Sequence, residues 1–95
     1  MSETRRQIIA RRLREGPSTV LDLARATGFT VKNVLSDLEH VLRSARVKSK
    51  VVIREPECLD CGHVFHGRTR VETPSRCPLC RSEGIRDPEF SIEDR

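Results

Sequence analysis

Three helices followed by a small antiparallel β unit, an α+β fold, is what this sequence predicts, and three observations predict it. Residues 31–42 repeat apolar side chains at helical spacing: Val31, Val34, Leu35, Leu38, Val41 and Leu42. All the cysteines lie in the second half, as two Cys-x-x-Cys pairs, Cys58/Cys61 and Cys77/Cys80. The charge divides the same way. Residues 1–54 hold 12 Lys/Arg against 5 acids, and residues 55–95 hold 6 against 9, so balances of +7 and −3 make up the net +4. Such an asymmetry points to two modules with different partners.

The first helix is expected over residues 3–15. Ile8, Ile9 and Leu13 form its apolar stripe, and Arg5, Arg6, Arg11, Arg12 and Arg14 fill much of the remainder. Gly16-Pro17 stops it. Thr19 with Asp22 resembles a capping box and opens a short second helix through Leu21, Leu23 and Ala24 to about Thr27. Gly28 fits the left-handed position that follows a helix end. Thr30 is the next cap, and the third helix is expected to end near residues 44–46. Its polar face carries Lys32, Asn33, Ser36, Asp37, His40 and Arg43.

Lys48-Ser49-Lys50 reads as a turn and Val51-Val52-Ile53 as a strand ended by Pro56. His63 to Thr69 reads as a further strand, with Val64 and Phe65 as a small core, and Phe90-Ser91-Ile92 as the last strand. The division is therefore 1–49 for the helical domain and 50–95 for the cysteine domain, with the strand at 51–53 joining them.

The chain has 95 residues, of which 36% are hydrophobic and 3% aromatic. A chain this small is marginal on apolar burial alone, so its cysteine half needs a staple. No unbroken apolar run, residues 51–53 included, exceeds three residues, which leaves no membrane span and no secretory signal to expect. A cytoplasmic setting follows. An enzyme is not expected, because little chain is available to build a deep pocket.

Two helices joined by a tight turn, here Thr27-Gly28-Phe29, form a helix-turn-helix signature. In that arrangement the third helix presents its first residues to base edges in the major groove of double-stranded DNA. Thr30, Lys32, Asn33, Ser36 and His40 are the candidate base contacts. Lys suits guanine and Asn suits adenine. Arg5, Arg6, Arg11, Arg12, Arg25, Arg43, Lys48 and Lys50 are candidates for phosphates. Asp37 and Glu39 on the same helix would repel phosphate if they faced it. They favour the rival reading, a protein-interaction adaptor of the transcription or RNA-processing machinery.

The two cysteine pairs flank residues 62–76, a spacer that fits a four-sulfur zinc site. Thiolate suits a tetrahedral ion, and four protein ligands close its shell, so the site is structural by ligand count. Cys58, Cys61, Cys77 and Cys80 are the expected ligands of one Zn²⁺. Iron is the alternative metal, since four sulfurs suit either ion. His63 and His66 are rival ligands that a complete sulfur set makes unnecessary.

With these residues named, a resemblance can be stated. Residues 19–28 followed by Thr30-Val31-Lys32-Asn33-Val34-Leu35-Ser36-Asp37-Leu38 look like a winged helix-turn-helix of archaeal regulators. Residues 58–65 and 74–80 look like a zinc ribbon. Order and size are similar to a small archaeal family of predicted transcriptional regulators joining these two parts. The resemblance implies DNA binding and transcription regulation, and it allows a homodimer and a protein partner held by the ribbon. Two departures stand out. Arg81 follows the second knuckle where many ribbons carry Gly, and the stretch after helix three offers little room for a two-stranded wing. The strand at 51–53 is therefore expected to pair with the ribbon, which would replace or cover the wing.

Overall fold

The computed structural model describes residues 3–66 and 71–94, and its helices begin where the sequence offers side-chain caps. Helix α1 (Arg5–Glu15) starts at Thr4, which forms a reciprocal capping box with Gln7. Helix α2 (Val20–Thr27) starts at Thr19, paired in the same way with Asp22. Each box satisfies amides that the first turn would leave without partners. Gly28 ends α2 at φ 80, and its amide donates to the Ala24 carbonyl. Only a residue without Cβ takes that conformation freely.

Helix α3 (Val31–Lys48) runs beyond the expected end at residues 44–46. Ala45 to Lys48 offer no breaker, and the Ser49 amide donates to the Ala45 carbonyl. The expected turn at Lys48-Ser49-Lys50 is therefore absent: Lys48 closes the helix, and Ser49 opens β1 (Ser49–Arg54).

Strand β1 pairs antiparallel with β4 (Glu89–Asp94), in a register running from Ser49↔Asp94 to Arg54↔Glu89. Phe90 sends both its amide and its carbonyl to Ser18, each at 2.9 Å. Because the two backbone groups of one residue face one neighbour in an antiparallel sheet, Ser18 lies across β4 from β1. Strand β4 thus has β1 on one side and the single bridge to Ser18 on the other. The strand at 51–53 pairs, as expected, with a strand from the cysteine half. Strands β1 and β4 form an antiparallel pair, and residues 55–88 lie between them in the sequence.

That inserted segment is tied by β2 (Glu57–Cys58) and β3 (Ile85–Arg86). The strand expected over His63 to Thr69 shrinks to one bridge, Val64 to Glu57, while residues 67–69 lie outside the described residues. Val64 and Phe65 are only half-buried and do not form the expected core. Val71 does that work instead, joining a core of Ile9, Leu13, Leu23, Val34, Leu38, Val41, Leu42, Phe90 and Ile92. On the facing strand, Val51 and Ile53 sit opposite Ile92 and Phe90 and pack against the same cluster. No helix among the described residues is long and apolar enough to cross a membrane.

Candidate metal centre and helix-three surface

Two similar knuckles bring the sulfurs together. In the first, the Gly62 amide donates to the Cys58 carbonyl at 3.0 Å; in the second, the Arg81 amide donates to the Cys77 carbonyl at 2.9 Å. Gly62 has φ 79 and Arg81 has φ 63, so both turns need a left-handed residue at the same place. The second obtains it from an arginine. The knuckles are joined by β2 and β3 and by the Leu59 amide donating to the Gly84 carbonyl. A hydrogen bond from Ser82 to the Asp60 carboxylate adds a further link.

The four Sγ atoms lie within 4.8 Å of one another. Cys58 and Cys80 are 3.5 Å apart, and Cys61 and Cys77 are 3.6 Å apart. A tetrahedron with metal–sulfur bonds of about 2.3 Å has edges of about 3.8 Å, so one ion of that kind fits. Cys58 and Cys77 are buried, and Cys61 and Cys80 are exposed. Neither His63 nor His66 joins the cluster; His63 instead meets Phe65 edge-to-face at 4.8 Å.

Backbone amides prepare the sulfurs for charge. The Cys61 and Asp60 amides lower the Cys58 thiol to about 7, against the opposing effect of burial. Cys61 accepts from the His63 amide, which lowers it, but burial and the neighbouring sulfurs prevail and raise it to about 12. Cys80 accepts from the Ser82 amide and is still raised by the sulfur of Cys58 and by burial. Four thiols this close do not all ionise by themselves. A divalent cation reverses that balance, and four thiolates supply the anionic shell it requires.

The expected contacts on α3 separate by face. Thr30 is spent partly on capping, accepting from the Asn33 amide at 3.1 Å, and Asn33 is half-buried. Lys32, Ser36, His40 and Arg43 are exposed, and their spacing puts them along the outward side of the helix. Lys48 turns toward α1, and Lys50 stands on β1. Acids stand beside this line: Glu39 and Glu72 line the hollow next to Lys32 and Ser36, and Glu39 and Glu55 line the one next to Arg43.

Two expectations about charge are corrected. Asp37 does not face solvent: it is 3% exposed, with Arg5 Nε at 2.8 Å and Arg6 Nε at 3.2 Å. It neutralises α1 rather than repelling phosphate. Several proposed phosphate contacts are likewise engaged within the chain, Arg5 and Arg6 by Asp37, Arg11 by Glu3 and Glu15, and Arg12 by Glu15. The signal for Asp37 was present, since it lies three residues after Val34 and four before Val41, within the buried stripe.

Comparison with known proteins agrees with this geometry. Residues 4–53 match the family described as PF0610-like, N-terminal, and residues 55–95 match the PF0610 rubredoxin-like zinc beta-ribbon domain. No curated protein matches. The chain is similar to the solution NMR structure of protein PF0610 from Pyrococcus furiosus. The two are 36% identical with a TM-score of 0.78, and the match covers 100% of this chain and 93% of that one. The half that carries the sulfurs is a zinc ribbon in which four cysteines can hold one ion. With its N-terminal and ribbon parts both matched, the chain belongs to the PF0610-like family.

Proposed function

We propose that this protein is a DNA-binding transcriptional regulator, a binding module rather than an enzyme, whose zinc ribbon stiffens the tip of its wing. One observation carries the reading: Lys32, Ser36, His40 and Arg43 line the outward side of α3, which we read as the recognition helix of a helix-turn-helix with the β1–β4 pair as its wing. Lys32 and Arg43 suit guanine edges or phosphates, and Lys50 on the wing strand suits a phosphate. The burial of Asp37 supports this reading, because it removes one of two carboxylates from the reading surface. Four sulfur ligands leave a zinc ion no open position for substrate, which supports a structural role for the metal.

An anisotropy titration with duplex DNA at several salt concentrations tests the reading. Affinity is expected to fall steadily as salt rises, because bound Lys and Arg displace counterions. Lys32→Gln and Arg43→Gln should each weaken binding. No binding at low salt, or binding indifferent to salt, overturns it.

A second reading, a protein-interaction adaptor, has its own support. Leu59 and Leu79, at the knuckle tips, are 66% and 72% exposed. Exposed apolar side chains of this size suit a protein surface better than a phosphate backbone. Unchanged DNA affinity after joint replacement of Lys32 and Asn33 would favour it.

A further inference from the structure

Three of the hollows on this molecule carry carboxylates. The one between α3 and the base of the ribbon has Glu39 and Glu55, the cleft over the start of α3 has Glu72 and Asp87, and the shallow one beside Lys32 has Glu39 and Glu72. A further hollow of about 310 Å³ between α1 and α3 has no carboxylate among its lining residues. Its walls follow from sequence spacing. On α1, Arg6, Ala10 and Arg14 recur every four residues; on α3, His40, Ser44 and Lys48 do the same. Side chains four apart stand above one another on a helix. Each wall therefore has a basic side chain at either end and a small residue in the middle, which keeps the gap open.

The Arg6 guanidinium is also held in place, and Arg14 has a looser ion pair. Arg6 is tied through Nε to Asp37 at 3.2 Å, and Arg14 Nε lies 3.7 Å from Asp94. Neither aspartate lines the hollow. Each arginine thus keeps its terminal nitrogens for another acceptor. Fixing a side chain before a ligand arrives reduces the ordering cost of binding. Planar guanidiniums suit the paired oxygens of a phosphoryl group, and an ammonium adds a point charge.

We infer that the α1–α3 groove is an anion site that takes a phosphoryl group, held by Arg6, Arg14, His40 and Lys48. The group comes either from a nucleic-acid backbone or from a free phosphate ester. The site shares His40 with the outward line of α3, whereas Arg6, Arg14 and Lys48 lie off that line.

The test uses the full zinc-loaded chain in amide NMR titrations at constant ionic strength. Inorganic phosphate is the first probe. Saturable shifts are expected at Ala10, Ser44 and Lys48. The double variant Arg14→Gln/Lys48→Gln should lose roughly tenfold in affinity. A control with the same charge change elsewhere, Arg54→Gln/Arg76→Gln, at two exposed arginines outside the groove, should stay near the parent value. If the double variant does not fold, Lys48→Gln alone, at the exposed end of α3, serves with Arg54→Gln as its control. A duplex is the second probe. Loss of duplex affinity in the groove variant beyond that in the control assigns the backbone as the source; equal duplex affinity in the two assigns a free ester. The inference is overturned if phosphate gives no saturable shift, or if groove and control variants weaken phosphate alike. Failure of the transcriptional reading would show separately, as a lack of duplex binding in the parent chain.

Discussion

Arg81 and Gly62 do the same work at unequal cost. Both stand just after the second cysteine of a knuckle and both have positive φ. A side chain in that conformation costs roughly 1–2 kcal/mol, part of which a glycine gives back through its freer unfolded state. Arg81→Gly should therefore stabilise the zinc-loaded protein by about 0.5–1 kcal/mol, and Gly62→Ala should destabilise it by about 1 kcal/mol. Urea unfolding at fixed zinc measures both. Asp37 is the other residue whose setting decides its role. Replacing it by Asn leaves two arginines without their counter-charge. Arg5 and Arg6 are 49% and 54% exposed, so solvent screens much of the loss. A cost of about 1 kcal/mol is expected, well below that of a fully buried pair.

At the scale of the element, the zinc ribbon is an insertion in a hairpin. Strands β1 and β4 are neighbours in space, yet residues 55–88 lie between them. Without an ion, those residues become a long loop that must still return β4 to β1. Closing it in place of a tight turn costs roughly 2–3 kcal/mol by chain entropy. Chelation should therefore release more than the ribbon. Exchange of the β4 amides should speed up together with that of the ribbon, as hydrogen-exchange measurements with and without chelator can show. The sign of the pH effect follows from the thiols. Zinc binds them deprotonated, so protons compete with it. Cys61, raised to about 12, gives up its proton at the greatest cost, and Cys58, lowered to about 7, at less. Zinc should be held more weakly at pH 6 than at pH 8 in competition with a chelator indicator.

Across the whole molecule, Phe90 joins the two halves together with Val71 and Ile92. Phe90 is 1% exposed, pairs with Ser18 between the first two helices, and packs in the same core as Ile9, Leu38 and Val71. It comes from the last strand, so the helical core is complete only when the end of the chain returns. Phe90→Ala should cost about 3–5 kcal/mol, a large share of the stability of a small domain. The helical circular-dichroism signal and the zinc-dependent fold should then melt together at a lower temperature. Two separate transitions, with the helical one unmoved, would contradict this account of a shared core.

Much of this protein was determined locally and was legible in the sequence. Thr19 and Asp22 cap α2, Gly28 ends it, the apolar repeat from Val31 to Leu42 gives α3 its buried face, and Cys-x-x-Cys spacing picks out the sulfurs. These features depend on neighbours a few residues apart, so chain spacing alone specifies them. Tertiary structure decided the rest. The return of β4 to β1, the burial of Asp37 under Arg5 and Arg6, the entry of Val71 into the helical core and the meeting of α1 and α3 cations around one groove all join distant segments. Their partners are chosen by where the whole chain can bury apolar surface and satisfy charge, and periodicity does not record that choice.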